Sequence, residues 1–172
     1  MIVFTTERLQ AVPWREEHAE AAYAAYSRPD FVRFLANSTP HPDLEHTRAW
    51  VRRIAAASIG QRTGFWAVEL RDGGELVGAT LCQPLPGSDV RHEIGWHVFP
   101  THQFKGYATE VGRGAADYAF DVLGLDEVFA LVMPANEASL AVVRAVQMTS
   151  LGRTSDYYGI EAELFSLTRP KE

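Results

Sequence analysis

The triplet Asp72-Gly73-Gly74 constrains the fold more than any other stretch of this chain. Both glycines tolerate positive φ, so the triplet suits a tight hairpin turn. It separates two strand-like runs, Phe65 to Leu70 before it and Leu76 to Cys82 after it. A hairpin here makes neighbouring strands antiparallel at the middle of the chain. A third run, His92 to Phe99, is closed by Pro100 and follows the loop Pro84-Leu85-Pro86-Gly87-Ser88. Together the three runs form a meander that any fold for the chain has to accommodate.

The flanking segments fill in the rest. Arg8 to Pro13 alternates weakly and reads as a short first strand. Glu16 to Ser27 carries alanines and aromatics at helical spacing and is stopped by Arg28-Pro29-Asp30. Asp30 to Leu35 opens a second short helix, Asn37-Ser38-Thr39-Pro40-His41-Pro42 is loop, and Asp43 is a good N-cap for a helix to about Ala57. After the meander come a helix from Ala108 to Leu123, a strand from Val128 to Met133 and a helix from Asn136 to Val146. A tail from Tyr157 to Thr168 reads as one or two closing strands. The order predicts a mixed α+β fold with many antiparallel neighbours. It is not the regular alternation of a doubly wound nucleotide fold.

The 172 residues suit one domain, 1–172, with no repeat, low-complexity tract or long linker. A formal charge of -6 argues against a nucleic-acid binder, which would present a basic face. The single cysteine, Cys82, excludes an intrachain disulfide and reads as a strand residue. The opening Met1 to Arg8 lacks the regions of a signal peptide, and no apolar run approaches the roughly 18 residues of a membrane span. A cytoplasmic location without membrane attachment is the expectation.

The segment with chemical content is the junction between the strand ending at Phe99 and the helix opening at Gly106-Tyr107-Ala108-Thr109-Glu110. A strand feeding a small-residue loop that opens a helix exposes several backbone N–H groups in one direction. The helix macrodipole adds partial positive charge, and the two together make a phosphate cradle. Gly106 and Ala108 keep the amides reachable, and Gln103 and Lys105 can add side-chain donors. The same features also fit an ordinary loop-to-helix junction. Neither the P-loop nor the dinucleotide glycine pattern is present.

Gln103-Phe104-Lys105-Gly106-Tyr107-Ala108 resembles the acetyl-CoA signature of the GNAT N-acetyltransferases, Arg/Gln-x-x-Gly-x-Gly/Ala. Glu93-Ile94-Gly95-Trp96 resembles the strand before that signature. Asn136-Glu137-Ala138-Ser139, Thr6-Glu7-Arg8-Leu9 and Phe165 to Arg169 resemble segments of the branch containing ribosomal-protein N-terminal acetyltransferases. The resemblance implies a mostly antiparallel sheet of six to seven strands, splayed at the cofactor site and flanked by about four helices. It implies that acetyl-CoA is the donor and CoA the product. The pantetheine arm would lie beside the strand ending at Val98 and Phe99. The pyrophosphate would meet the amides from Phe104 to Thr109, through Lys105, Gly106, Tyr107 and Ala108. Asn136 would bond the pantetheine arm and Ser139 would sit near the thiol.

Acyl transfer to an amine needs a neutral nucleophile, a donor for the oxyanion and a route for the leaving thiolate. Glu93 is the first candidate base, matching the position where some GNAT enzymes carry a glutamate. His97, on the same period-2 face, is the second. A strand N–H near Val98 or Phe99 can meet the oxyanion, and Ser139 can serve the thiolate. His92 and His102 lie nearby, but the spacing matches no metal set and no metal is expected. Many family members carry a tyrosine seven residues after the asparagine, where this chain has Val143. Tyr157 and Tyr158 can reach the site from the tail. Two further departures are Phe104, at a position often glycine, and Gln147, which lacks the glycine of an easy left-handed helix stop. A substrate pocket is expected from the N-terminal helices and the loop Phe31–His41, with Asn37, Ser38 and Thr39 as its polar run. Trp14, Tyr23, Tyr26, Phe31 and Phe34 read as core.

The expected activity is acetyl transfer to a primary amine, either a protein N-terminus or a small molecule. The alternatives are a longer acyl donor such as succinyl-CoA, or a regulatory protein that binds acyl-CoA without turnover. Net acidity favours a cationic acceptor by steering, and a monomer or homodimer is expected.

Overall fold

The computed structural model describes residues 1–36 and 39–170. Asn37 and Ser38, two of the three polar residues expected at the substrate pocket, lie outside the described residues. One eight-stranded sheet dominates, in the order β1-β2-β3-β4-β5-β6-β8-β7. In chain order the strands are β1 (Phe4–Thr5), β2 (Leu9–Val12), β3 (Gly64–Leu70), β4 (Leu76–Pro84), β5 (His92–Val98), β6 (Glu127–Val132), β7 (Thr149–Thr154) and β8 (Ala162–Thr168). The described residues also form five α-helices: α1 (Ala19–Tyr26), α2 (Pro29–Val32), α3 (Leu44–Ala57), α4 (Tyr107–Asp121) and α5 (Glu137–Ala145). Each neighbouring pair of strands is antiparallel except β5 and β6.

The β3–β4 hairpin forms where the sequence places it. Gly73 and Gly74 take φ of +85° and +68°, and Leu70 N–H bonds Glu75 O across the turn at 2.9 Å. α3 starts as expected, with the Asp43 carboxylate accepting from His46 N–H at 2.7 Å. The sheet is larger than the six to seven strands expected, because both border strands are hard to read. β1 has only two residues, and every residue of β7 but the last is exposed. A border strand without a buried face carries no apolar alternation. The tail consequently supplies one strand, β8, and its partner β7 precedes Tyr157.

The helices cover both faces. On one, α4 and α5 pack on Trp66, Cys82, Ile94, Val128 and Phe165. On the other, α1 and α3 cover Val12, Ala67, Ala79 and Phe99. Residues of about the size of Ile94, 2 % exposed, contribute roughly 1.5–3 kcal/mol each when fully buried. Alternation along β5 sends Ile94 and Trp96 to the α4 side and Glu93, Gly95 and His97 to the α1–α3 side. Glu17, His18 and Glu69 gather ligand-type atoms within 4.8 Å. Arg15 donates to both Glu17 and Glu69, so this is an ion-pair cluster fastening the residues before α1 to β3. Among the described residues no helix is long and apolar enough to cross a membrane.

Candidate active site

β5 and β6 are parallel and bridge at one pair, Glu93 with Phe129. Beyond it the two strands pair no further, which opens a cleft between Gly95–Val98 and the end of β6. Odd residues of β5 direct their backbone groups toward β4. Phe99 N–H bonds Val77 O at 2.9 Å, and Gly95 O accepts from Thr80 Oγ1 at 2.8 Å. The even residues Trp96 and Val98 therefore turn their N–H groups to the cleft. Of the two amides expected to meet an oxyanion, Phe99 is already committed and its ring is buried. Val98 remains.

The loop leaving β5 makes one 3-10 turn, Pro100–His102, and enters α4 through Gly106. Gly106 is the N-cap at φ +80°, and Phe104 adopts φ +63° with its ring fully in solvent. Left-handed residues on either side of Lys105 curl the loop as anion-binding nests do. The first helical bond runs from Glu110 N–H to Gly106 O at 3.1 Å. Among the described residues, none accepts a hydrogen bond from the amides of residues 103 to 109. Phe104 does not close the loop, because its backbone takes the conformation a glycine would supply. Gln103 behaves differently from the side-chain donor expected: its Nε2 turns back to Val98 O at 3.2 Å. Lys105 has no partner for its ammonium among the described residues. Tyr107 packs beside Leu9 and Val111, Ala108 lies against the α4–α5 core, and Thr109 is half-buried.

Glu93 is 6 % exposed at the closed end of the cleft. Its Oε1 accepts from Gln83 Nε2 at 2.9 Å and from the hydroxyl of Tyr158. Burial raises the carboxyl above its ordinary value, with these two bonds pulling it back only in part. Tyr158 reaches Glu93 from the β7–β8 loop at φ +56°, a non-glycine residue held left-handed. Burial and the Glu93 carboxylate raise its phenol in turn. The other tail tyrosine, Tyr157, packs beside Leu85 and Phe129.

His97 sits four residues further along the strand, about 13 Å away at 3.2–3.4 Å per residue. Leu81 lies between them, over Gly95. One nitrogen cannot be served by both side chains. Burial pulls the His97 imidazole down to about 4, and its Nδ1 is hydrogen-bonded to Tyr26 OH at 3.0 Å. Around it, Tyr26, Phe31, Phe65 and Phe99 form an aromatic cluster. Trp14 and Tyr26 are core as expected, whereas Tyr23, Phe31 and Phe34 are half-buried. Cys82 is buried in β4, and burial followed by the Glu93 charge pushes its thiol up to about 12, which leaves no nucleophile there.

Across the cleft, Asn136 is the N-cap of α5, its Oδ1 accepting from Ser139 N–H at 3.1 Å. That spends the Asn136 oxygen and leaves its NH₂ and the Ser139 hydroxyl without partners among the described residues. Val143 is fully buried in the core. Gln147 does not reshape the end of α5. It takes φ +67° itself, with Gln147 N–H to Arg144 O at 3.0 Å and Met148 N–H to Val143 O at 2.9 Å. These are the two bonds of the stop a glycine usually provides.

Of the two tail tyrosines expected to reach the site, Tyr158 does and Tyr157 does not, while Gln83 joins it unforeseen. Gln83 faces Glu93 in the β4–β5 register, so the hairpin and meander carried that signal. The Tyr158 contact spans 65 residues and has no local signature.

The chain matches the Acetyltransferase (GNAT) domain family over residues 8–149. It is 27% identical over 175 residues to the uncharacterized N-acetyltransferase YoaA of Bacillus subtilis (strain 168), covering 99% of this chain and 98% of that protein. It is 31% identical over 153 residues to the FsC-acetyl coenzyme A-N(2)-transacetylase of Aspergillus fumigatus, covering 84% of this chain and 63% of that protein. The crystal structure of a GNAT-family acetyltransferase from Bacillus anthracis superposes with a TM-score of 0.81 at 22% identity, covering 98% of each chain. The splayed β5–β6 pair, the open amides before α4 and a family match across most of the sequence agree: the chain belongs to the GNAT acetyltransferases and is an acyltransferase.

Proposed function

We propose that the chain moves the acetyl group of acetyl-CoA to a primary amine by direct transfer, within a single catalytic domain. The observation that carries this reading is the run of open amides from 103 to 109, at the mouth of the β5–β6 cleft. The fit can be judged from the loop itself. A pyrophosphate needs several convergent N–H donors and no bulky side chain over them. Gly106 has none, and the Phe104 ring stands in solvent.

The amides of Phe104 to Thr109 would hold the pyrophosphate, with Lys105 adding charge. The free NH₂ of Asn136 and the N–H of Trp96 would hold the pantetheine arm within the cleft, as an added strand is held. When bound, acetyl-CoA supplies an activated acetyl thioester. The residues of the chain do the rest. Glu93 accepts the proton that the amine nitrogen must lose, and its raised proton affinity suits a base working near neutrality. Gln83 and Tyr158 fix the carboxylate's orientation. The Val98 N–H is available to the developing oxyanion, and the Ser139 hydroxyl to the leaving sulfur. His97, neutral and bonded to Tyr26, forms part of the acceptor wall and not the base. An ordered carboxylate at the closed end of the cleft favours turnover over acyl-CoA binding alone.

The Aspergillus relative's name describes transfer from acetyl coenzyme A to an N(2) nitrogen, which supports an amine nitrogen as the acceptor. A thiol-release assay across polyamines, amino sugars, hydroxylated amines and N-terminal peptides identifies the acceptor. Acetyl-CoA-dependent release with at least one amine is expected. Release with succinyl-CoA but not acetyl-CoA would overturn the donor assignment.

A further inference from the structure

We propose that Arg8 is a positioning residue for the phosphate loop, which it sets by holding the Lys105–Gly106 peptide plane. The inference rests on residues 103–109 forming the pyrophosphate cradle. Arg8 Nη1 donates to Lys105 O at 3.0 Å, across 97 residues of sequence. No peptide bond among the described residues is cis. In a planar trans peptide the carbonyl and the following N–H point in opposite directions. Pulling Lys105 O toward Arg8 therefore aims the Gly106 N–H away from Arg8, to the open side of the loop. Without that hold, the plane that enters a glycine of positive φ is free to rotate, and the cradle loses its central donor.

Arg8 is well placed to do this because it is itself immobilised. Its Nε donates to Glu110 Oε2 at 2.7 Å and its backbone N–H to Glu110 Oε1 at 2.7 Å. Thr6 Oγ1 donates to the same Oε1 at 2.6 Å and accepts from Leu9 N–H at 3.1 Å. The guanidinium lies 4.7 Å over the Tyr107 ring. Burial pushes the Glu110 carboxyl up, but the bonds from Thr6 and Arg8 outweigh it and hold it below the usual range, so it remains an anion. Glu110 lies in the first turn of α4. One unit, Thr6–Arg8–Glu110, thus registers the chain's start against both the helix and the loop that precedes it. A lysine at 8 could not replace it, since one ammonium lacks the planar fork that reaches Glu110 and Lys105 O together.

The test is calorimetry of CoA and of pantetheine, which lacks the pyrophosphate, on the wild type, Arg8→Lys and Glu110→Gln. The ratio of kcat/KM for acetyl-CoA to that for S-acetylpantetheine is measured alongside. A misaimed amide should weaken CoA about tenfold, the loss of roughly one charge-assisted hydrogen bond. Pantetheine binding and S-acetylpantetheine turnover should stay at wild-type values. Unchanged CoA affinity in both variants overturns the proposal. An equal loss with pantetheine also overturns it, since Arg8 would then only support the fold. Failure of the wild type to bind CoA would instead remove the cradle on which the proposal rests.

Discussion

Glu93→Gln separates the function of the buried carboxylate from its effect on stability. Glutamine keeps the shape, and its amide oxygen can still accept from Gln83 and Tyr158. What disappears is a negative charge at a side chain 6 % exposed, whose second oxygen has no partner among the described residues. Its cost is the desolvation of that charge, which the neutral amide does not suffer, so a net gain of about 1 kcal/mol, the size of an ordinary single-site effect, is expected. For a chain of this size that raises Tm by about 2–4 °C. The sign follows from linkage. The folded carboxyl binds its proton more tightly than the unfolded one, because of burial. Between the two values the folded state carries more protons, so wild-type stability falls as pH rises through that window. The variant's advantage is therefore full at neutral pH and vanishes once the unfolded carboxylate is protonated. Activity should move the other way, with kcat falling roughly 10²- to 10⁴-fold for loss of a general base. Paired melting curves at pH 7.5 and 4, with thiol-release kinetics, read both. A Tm that drops at neutral pH, a gain independent of pH, or kcat within a few-fold of wild type would refute the reasoning.

Tyr158→Phe removes a donor that holds the Glu93 proton affinity down, so the acid limb of kcat/KM should move to higher pH; a limb that stays put or moves lower contradicts the assigned pair. Gln147→Gly relieves a left-handed non-glycine residue at the end of α5 and should raise stability by about 0.5–1 kcal/mol, seen as a higher Tm. A lower Tm would mean that the Gln147 side chain contributes more than its backbone costs.

Features with a local cause could be read from the residues alone. Gly73-Gly74 specified the hairpin, Asp43 the start of α3, and Pro100 with Gly106 the two ends of the junction loop. Features fixed by tertiary context could not. β7 runs along the sheet border with almost nothing buried, so no periodicity marked it. Phe104, Gln147 and Tyr158 take positive φ against their own preference. That is why Phe104 and Gln147 looked like departures yet keep the loop and the helix stop intact. Glu93 and His97 shared a face in the sequence, and only their environments distinguish them. Burial leaves Glu93 bonded by two donors at the cleft's closed end, and His97 neutral among aromatics. Thr6-Glu7-Arg8-Leu9 carries a resemblance in sequence alone, and its physical role lies in the long-range bond from Arg8 to Lys105 O.

The claim everything else depends on is that the amides of residues 103–109 receive the pyrophosphate of CoA. Calorimetric titration of the wild type and of Gly106→Glu with CoA tests it directly. The wild type should bind in the micromolar to submillimolar range typical of enzyme substrates. The variant puts a side chain on a residue at φ +80°, where its Cβ meets Arg8 Nη2 at 3.4 Å, and adds a negative charge beside the cradle, so it should lose at least 100-fold. No heat with the wild type at submillimolar CoA, or wild-type affinity in Gly106→Glu, would contradict the account.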